Sequence, residues 1–238
     1  MNTLTKAMIL AAGFGTRLQP LTSNKPKALV KVNGVPMIEN VIKKLAASGI
    51  KEIVVNAHHF ASQLEKYFSD NDFGVRIHLI CEKEILGTGG GIKNASAFLK
   101  DTPSFVVHNV DVLCDLDVQT MYCFHLDNSA FATLAIQDRR TSRPLLIDGQ
   151  SNIIGRKSKD NYFRYRKPAG EEKTTSFLGI HIISSAIFQH FTEQGFFDIF
   201  TSYFHLISEG RKIIGYDIGE KKWSDLGTIG NLTDISAV

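Results

Sequence analysis

Short apolar segments alternate with amphipathic segments over the first 137 residues, and this alternation restricts the folds that the chain can adopt. The first apolar run, residues 6–12, is continuous and stops at Gly13, as is typical of a strand buried on both faces. After Pro36, apolar residues recur at helical spacing until Gly49 and predict a helix. Further strands are predicted at residues 53–55, 75–81, 104–108 and 130–137, and further helices at 64–68, 92–99 and 117–127. The pattern predicts an α/β fold with three layers around a Rossmann-like, mainly parallel (mixed) sheet.

Residues 138–175 are less regular and are dense in Arg and Lys. Short strand-like pieces lie between the basic residues, and we interpret the segment as an insertion beside the functional site. A solvated basic surface is the alternative interpretation. The remaining elements are strands at 177–183 and 213–217 and helices at 186–191 and 199–209. Together they predict one domain, residues 1–238.

Composition excludes several classes of protein. Hydrophobic residues make up 43% of the chain, which is enough for one sizeable core. No apolar stretch approaches the roughly 20 residues of a membrane-spanning helix, so we expect a cytoplasmic protein with no membrane partner. The 27 basic and 24 acidic side chains nearly balance, which argues against a nucleic-acid partner. Cys81, Cys114 and Cys123 lack metal-binding spacing and are predicted to be buried free thiols.

A loop with two glycines follows the first strand and carries the strongest functional signal. Residues 10–22 read LAAGFGTRLQPLT, and residues 25–30 read KPKALV. Gly13 and Gly15 let the backbone approach a ligand closely, while Arg17 and Lys27 supply charge-assisted hydrogen bonds to phosphate oxygens. The loop lacks the Walker motif, and Leu18 stands where the dinucleotide fingerprint needs a third glycine. The loop therefore predicts a polyphosphate site of another kind.

Two carboxylates are predicted to lie near this loop. Asp111 follows the apolar strand at 104–108, and Asp225 follows a short strand-like piece that begins at Trp223. Ligands of open α/β sheets bind outside the carboxyl ends of the strands, where the glycine loop also lies. Because Mg²⁺ is commonly held by one or two carboxylates and substrate phosphates, Asp111 and Asp225 are candidate metal ligands.

A second glycine-rich segment, LGTGGG at residues 86–91, lies between a predicted strand and a predicted helix. Small residues there would let a flat ring lie against the backbone, and the start of the helix would offer free N–H donors. A plain loop that leads into the helix is the alternative interpretation.

Together these segments resemble the sugar-phosphate nucleotidyltransferase family over about residues 7–232, and most specifically in the LAAGFGTRLQPLT and KPKALV stretches. The resemblance implies the nucleotidyltransferase type of sheet, Mg²⁺ as cofactor, and a nucleoside triphosphate and a sugar 1-phosphate as substrates. The implied reaction gives a nucleotide sugar and pyrophosphate. Within the family the chain is similar to the short N-acetylmuramate 1-phosphate uridylyltransferases and to mannose or heptose 1-phosphate guanylyltransferases, so the base stays open between uracil and guanine.

The resemblance also implies roles for individual residues. Arg17 and Lys27 match catalytic positions, and Asp111 and Asp225 match the positions that hold Mg²⁺. Nucleotide-binding positions are matched by Ala11, Ala12, Gly13, Gly15, Thr16, Glu82, Gly87 and Thr88. For the sugar phosphate the candidates are Asn109, Arg143, Lys167 and Gly179, of which Arg143 and Lys167 lie in the basic insertion. We expect residues 1–137 to bind mainly the nucleotide and residues 138–238 mainly the sugar phosphate.

The sequence departs from the family pattern at three places, where Val110, Arg166 and Phe177 replace the usual Gly, Glu and Asn. Three other functions stay open: a phosphocholine cytidylyltransferase, a metal-dependent glycosyltransferase of related fold, and an inactive nucleotide-binding regulator. The protein is expected to be a monomer or a simple homo-oligomer.

Overall fold

A computed structural model describes residues 3–236 of the chain, with side chains through residue 232. The strands are β1 (Lys6–Leu10), β2 (Lys31–Val32), β3 (Val35–Pro36), β4 (Glu52–Ala57), β5 (Arg76–Cys81), β6 (Ser104–Asn109), β7 (Val112–Cys114), β8 (Ala132–Gln137), β9 (Leu145–Ile147), β10 (Ile153–Ser158), β11 (Asn161–Arg164), β12 (Lys173–Ser184), β13 (Ile213–Asp217) and β14 (Trp223–Asp225). The helices are α1 (Met37–Ala47), α2 (Ala61–Ser69), α3 (Gly87–Asn94), α4 (Ser96–Leu99), α5 (Val118–Asp127), α6 (Ile199–Ser208) and α7 (Ile229–Ser236).

The central sheet has the strand order β5-β4-β1-β6-β12-β8-β13. Neighbours pair in parallel from β5 to β6 and again between β8 and β13. Strand β12 is antiparallel to both β6 and β8, so six of these seven strands run in one direction and one runs against them. The predicted mainly parallel, mixed α/β sheet is confirmed.

Helices cover both faces of this sheet, because successive residues of its central strands point to opposite sides. In β1, Ile9 packs in a cluster with α1 and α5, whereas Met8 packs in the other cluster, with α3 and α6. Both side chains are fully buried. This alternation explains why the strand reads as a continuous apolar run, and it yields the predicted three layers.

The basic insertion forms a small antiparallel layer beside the main sheet. Strands β9, β10 and β11 pair in sequence, and β9 pairs with the first residues of β12. The long strand β12 therefore belongs to both layers. A break in its register between Phe177 and His181, where Gly179 has φ 79°, separates the two parts. The short strand-like pieces expected at residues 138–175 correspond to β9, β10 and β11 of this layer.

Helix α3 begins at Gly87, five residues before the predicted start at residue 92, and Ala95 separates it from α4. Its sequence, GTGGGIKN, has poor helix propensity, so tertiary packing decides its conformation. The helix predicted at 186–191 is instead a 3₁₀ helix at Ser185–Gln189.

The prediction of buried cysteines is wrong at two of the three positions. Cys114 is buried, and burial raises the pKa of its thiol. Cys81 and Cys123 are exposed because Cys81 ends the edge strand β5 and Cys123 lies on the outer face of α5. In the described part of the chain, no helix has the length and apolar character to cross a membrane.

Buried histidines make the fold sensitive to acid. Burial lowers the pKa of His125 to about 4 and that of His181 to about 3. His125 hydrogen-bonds Thr133 Oγ1 at 2.9 Å, and His181 hydrogen-bonds the Tyr203 hydroxyl at 2.6 Å. In the unfolded chain a histidine titrates near pH 6.5, so the unfolded state binds more protons than the folded state between about pH 6.5 and 4.

The free energy of unfolding is therefore predicted to fall as the pH is lowered from 7 to 5, by on the order of 1 kcal/mol for each buried histidine. Urea titrations at the two pH values measure this loss. His125→Gln should reduce the loss because it removes one of the groups that takes up a proton on unfolding. His59→Gln, at an exposed position, should leave it unchanged. An equal loss in His125→Gln and wild type would contradict the assignment.

Candidate active site

The loop after β1 folds back on itself and places its backbone at the carboxyl ends of the strands. Ala11 N–H donates to Asn56 Oδ1 at 2.9 Å, which ties the start of the loop to the end of β4. Gly15 adopts φ 66°, and its carbonyl accepts a hydrogen bond from the Thr22 hydroxyl at 2.9 Å. A Cβ at Gly15 would stand 3.0 Å from Lys27 Cβ, so the glycine allows the loop to close against Lys27.

The tip of this loop is open to solvent. Ala11 and Ala12 are buried, but Gly13, Thr16 and Arg17 are exposed. A Cβ at Gly13 would meet no atom within 4 Å, so space is available beside its backbone. An anionic ligand can therefore approach the backbone N–H groups of the loop.

Asp111 and Asp225 are brought together by a two-stranded sheet that the sequence did not predict. Strand β7, directly after Asp111, pairs antiparallel with β14, and Asp225 stands opposite Val112. Leu226 N–H donates to the Asp111 carbonyl at 2.7 Å and extends the pairing. Two carboxylates that lie 114 positions apart in the sequence thus reach one point of the structure.

Gly227 lies beside several charged side chains. A Cβ on this residue would lie 2.6 Å from Arg17 Nη2, 2.6 Å from Asp225 Oδ1 and 3.0 Å from Asp111 Oδ2. The Lys27 ammonium group forms an ion pair with Asp111 Oδ2. Two carboxylates and two cations therefore converge beside the glycine loop. We call Arg17, Lys27, Asp111 and Asp225 the charged cluster.

The charged cluster fits a hard divalent cation that is completed by substrate phosphates. Mg²⁺ usually takes one or two carboxylates from the protein and fills its other positions with water and phosphate oxygens. Asp111 and Asp225 supply this number of carboxylates. No group of three or more His, Cys, Asp or Glu side chains suited to a metal occurs among the described residues. A site built wholly from protein side chains is thus absent from that part of the chain.

Val110, which departs from the family pattern, does not displace the neighbouring carboxylate. Its side chain is buried in the core, and its N–H donates to the Leu10 carbonyl at 3.2 Å. Asp111 consequently remains on the side of the charged cluster.

Glu82 is held inside the protein by a buried polar network. Asn56 Nδ2 donates to Glu82 Oε1 at 2.7 Å, and Leu86 N–H donates to Glu82 Oε2 at 3.1 Å. Asn56 also accepts the hydrogen bond from Ala11, so the network joins β1, β4 and the loop after β5. Both carboxylate oxygens have partners within the protein, and Glu82 positions the surrounding backbone.

The second glycine-rich segment packs against residues 195–199. A Cβ at Gly89 would lie 2.2 Å from the Phe197 ring, and one at Gly87 would lie 2.5 Å from the Phe197 carbonyl oxygen. These glycines therefore make room for another part of the chain. The Thr88 hydroxyl donates to Asp198 Oδ1 at 3.2 Å and accepts from Ile199 N–H at 2.9 Å, beside the start of α6.

The cavity between β10, β12 and α6 measures about 580 Å³, within the roughly 300–1,000 Å³ that is typical of small-molecule sites. Asn109 and Arg143 line it, together with Thr88. Gly179 lies beside Asn109, since a Cβ there would stand 2.8 Å from Asn109 Nδ2. Lys167 is exposed and lies outside the residues that line the cavity.

Sequence reasoning missed several residues of the site. Asn56 is the penultimate residue of β4, and Asn109 is the last residue of β6, so a polar residue near the end of an apolar strand was an available signal. Arg156 and Lys157 line the cavity, but the basic stretch in which they lie offered Arg143 and Lys167 as its candidates. Arg139 stacks at 4.0 Å on the ring of Trp223, which ties the insertion to β14.

Known proteins similar to this chain share one broad class. The family model described as Nucleotidyl transferase matches residues 6–145, more than half of the chain. A mannose-1-phosphate guanyltransferase from Debaryomyces hansenii is 32% identical over 232 residues, which cover 93% of this chain and 61% of that protein. An N-acetylmuramate alpha-1-phosphate uridylyltransferase from Caulobacter vibrioides is 34% identical over 193 residues, 76% of each chain. The chain thus spans about three fifths of the length of the Debaryomyces hansenii relative.

Solved structures with low sequence identity share the fold. HddC from Yersinia pseudotuberculosis superposes with a TM-score of 0.78 at 21% identity, covering 98% of this chain and 99% of that one. A UDP-glucose pyrophosphorylase from Acinetobacter baumanii gives a TM-score of 0.78 at 18% identity, covering 98% and 92% of the two chains.

Gly227→Ala is predicted to disturb the charged cluster while leaving the fold intact. The new Cβ would press on the ends of the Arg17 and Asp225 side chains, which can move, so the free energy of unfolding should change by less than about 1 kcal/mol. Affinity for a nucleoside triphosphate with Mg²⁺, measured by calorimetry, should fall about tenfold, a loss of about 1.4 kcal/mol.

Gly230→Ala is the matched control, because its Cβ would meet no atom within 4 Å and it lies on α7. It should leave the affinity unchanged. Equal affinities of Gly227→Ala and wild type would show that the cluster does not contact the ligand.

Proposed function

This chain belongs to the nucleotidyl transferase family, and from that premise we propose that it transfers a nucleoside monophosphate from a nucleoside triphosphate to a sugar 1-phosphate. The products are a nucleotide sugar and pyrophosphate. The charged cluster beside the glycine loop carries the proposal, because it offers carboxylates for a metal and cations for phosphates at one end of the sheet.

The two substrates are both anions, and the cations of the cluster reduce the repulsion between them. A phosphate monoester has a second pKa of about 6, so the sugar 1-phosphate is a ready nucleophile at neutral pH and needs no general base. One of its oxygens attacks the α-phosphorus of the triphosphate, and the bond from that phosphorus to the bridging oxygen of pyrophosphate breaks. Arg17 and Lys27 orient the phosphates and stabilise the charge that develops on them.

Mg²⁺ is the proposed cofactor, held by Asp111 and Asp225. When bound, it supplies positive charge to the phosphate oxygens of the nucleotide. Lys27 lies against Asp111, so the same carboxylate positions a cation of the protein.

The two substrates are proposed to occupy different parts of the site. Ala11, Ala12, Gly13, Gly15 and Thr16 bind the nucleotide through the loop after β1. Glu82, Gly87 and Thr88 shape its base pocket through the backbone contacts that they support. The sugar phosphate occupies the cavity beside Asn109, Gly179 and Arg143. Residues 1–137 would thus contribute mainly to nucleotide binding and residues 138–238 mainly to sugar-phosphate binding.

The finer proposal is an N-acetylmuramate-type uridylyltransferase or a mannose/heptose-type guanylyltransferase. Relatives named for uridylyl and for guanylyl transfer support these two candidates. Purified protein should be tested with each of four nucleoside triphosphates against phosphocholine and a panel of sugar 1-phosphates, with pyrophosphate release as the readout. Release with CTP and phosphocholine alone would favour the cytidylyltransferase. Binding of nucleotide without release under any combination would favour an inactive regulator.

Asp111→Asn and Asp225→Asn are each predicted to reduce Mg²⁺-dependent turnover at least 100-fold, because loss of one carboxylate leaves a site with a single charged ligand. Pyrophosphate release as a function of Mg²⁺ concentration measures the effect. Asp217→Asn, an exposed carboxylate at the end of β13, is the control and should behave as wild type. A wild-type rate of either cluster variant at limiting Mg²⁺ would show that the substituted residue is not a metal ligand.

Arg143→Ala is predicted to raise the KM for the sugar 1-phosphate about tenfold, with a smaller change in the KM for the nucleoside triphosphate. A charge-assisted hydrogen bond contributes about 1.5–3 kcal/mol, which is enough for this effect. Lys167→Ala tests the other basic candidate, whose position outside the cavity lining predicts a change of less than about twofold. If Lys167→Ala gave the larger increase, the insertion would have to close over the sugar with Lys167 on the phosphate.

A further inference from the structure

One polar side chain that lines the sugar cavity is almost wholly enclosed by the protein. His181 of β12 lines this cavity and is 1% exposed, whereas the other polar residues of the lining are partly or largely exposed. Its neighbours Ile180 and Ile182 pack in the cluster with α1 and α5, so His181 lies on the opposite face of the sheet, which α6 covers. His181 is therefore placed to contact a molecule in the cavity from the side of the sheet.

One ring nitrogen of His181 is used by the core. Nδ1 hydrogen-bonds the hydroxyl of Tyr203 on α6 at 2.6 Å, and Tyr203 is fully buried. Burial raises the pKa of Tyr203 above its ordinary value, so the hydroxyl keeps its proton. No other described group hydrogen-bonds this hydroxyl, so its proton either goes to Nδ1 or lacks an acceptor inside the core. Nδ1 is therefore the acceptor, and the ring carries its own proton on Nε2.

The second ring nitrogen, Nε2, is left for the cavity. No described group hydrogen-bonds Nε2 of His181, yet the solvent-excluded side-chain atoms without a partner in this part of the chain belong to other residues. Nε2 is consequently accessible, and the space beside His181 is the cavity. Burial lowers the pKa of His181 to about 3, so the ring is neutral near pH 7. His181 thus presents one uncharged N–H donor to a molecule in the cavity.

Aromatic rings stand beside this donor. The Phe177 ring lies 5.3 Å from the imidazole in an edge-to-face contact, and the Phe200 ring lies 5.4 Å from that of Phe177. Both phenylalanines line the cavity. In an apolar environment a hydrogen bond is stronger than in water, and an unpaired donor is more destabilising. Arg143 suits the phosphate, whereas a neutral donor beside aromatic rings suits an uncharged oxygen.

We infer that His181 binds the acceptor sugar, its Nε2–H donating a hydrogen bond to a hydroxyl oxygen of the sugar ring, and that Tyr203 is the positioning residue that holds this N–H toward the cavity. The inference rests on the proposed function and adds a determinant of sugar specificity to it. A buried donor rejects an acceptor that lacks the matching oxygen, because the N–H would lose its contact with water and gain no partner.

The first test observes the ring directly. In protein labelled with ¹⁵N-histidine, NMR should show the Nε2–H form of His181, whose signals are identified by their loss in His181→Gln. Adding the nucleotide sugar made by the fastest substrate pair should shift the Nε2 resonance. The matching nucleoside diphosphate, which lacks the sugar, should leave it unchanged. A ring protonated on Nδ1, or no shift at saturating nucleotide sugar, would overturn the inference.

Tyr203→Phe tests the positioning role, because it keeps the aromatic ring and removes the hydroxyl. We expect part of the His181 population to change to the Nδ1–H form in the same spectrum. An unchanged Nε2–H population in Tyr203→Phe would show that Tyr203 does not position the ring.

The kinetic test removes the two partners of the hydrogen bond one at a time. The acceptors are the sugar 1-phosphate that supports the fastest pyrophosphate release and its monodeoxy analogues. In wild type, loss of one particular hydroxyl should lower kcat/KM about tenfold. His181→Phe should lower kcat/KM for the parent sugar by a similar factor and should no longer distinguish that deoxy analogue from the parent. The KM for the nucleoside triphosphate should stay within about twofold, as for the loss of a contact to the sugar alone.

Two variants control for effects on packing. His181→Gln keeps an N–H donor in the side chain and should retain part of the preference for the parent sugar. His125→Gln replaces a buried histidine of α5 that hydrogen-bonds Thr133 and lies outside the cavity lining. It should show the same preference as wild type.

The outcomes separate this inference from the function on which it rests. Wild-type turnover that tolerates the loss of every hydroxyl would overturn the inference and leave the proposed function standing. Equal sensitivity of His181→Phe and wild type to the missing hydroxyl would also overturn it. No pyrophosphate release with any acceptor would contradict the proposed function, and the inference would fall with it.

Discussion

Two carboxylates can share one small volume only when positive charge accompanies them, and the candidate active site is organised around this constraint. Like charges 4 Å apart repel by about 4 kcal/mol at an effective dielectric constant near 20. Asp111 and Asp225 are held close by the pairing of β7 with β14, and Lys27 and Arg17 stand beside them. The proposed ligand, a metal-bound triphosphate, needs the same cations and carboxylates, so the charge balance that stabilises the cluster also suits that ligand. Gly227 is required because any side chain there would enter the cluster.

The remaining polar groups of the site act through the backbone. Asn56 links the Ala11 amide to Glu82, and Glu82 in turn accepts from Leu86 N–H. This buried network fixes the ends of two strands and the loop after a third. A buried polar group left without its hydrogen-bond partner would reduce the stability of the fold. The glycines of α3 serve a similar purpose, because their missing side chains let the chain near Phe197 approach the helix. Packing thus sets the shape of the pocket, and the proposed chemistry depends on the charged cluster.

The sequence predicted those parts of the site that local patterns determine. The continuous apolar run before Gly13 indicated a central strand, and Asp111 was found because it follows another such strand. The pairing of β7 with β14 was not predictable, since strands of three residues carry no signal of their partner when it lies more than 100 positions away. The start of α3 at Gly87 was not predicted for a related reason. The low helix propensity of glycine opposes a helix there, and contacts with the distant residues 195–199 stabilise it.

The basic insertion shows why charge density alone did not identify functional residues. Many of its cations are exposed, as a solvated surface would be, and Lys167 is one of them. Arg156 and Lys157 of β10 line the cavity, and each lies over an aromatic ring, Arg156 over Phe204 and Lys157 over Tyr162. A ring contact restrains a long side chain before the ligand binds, so less side-chain conformational entropy is lost on binding. The structure therefore separates the cations of the insertion by position rather than by exposure: Arg143, Arg156 and Lys157 line the cavity, whereas Lys167 lies outside its lining.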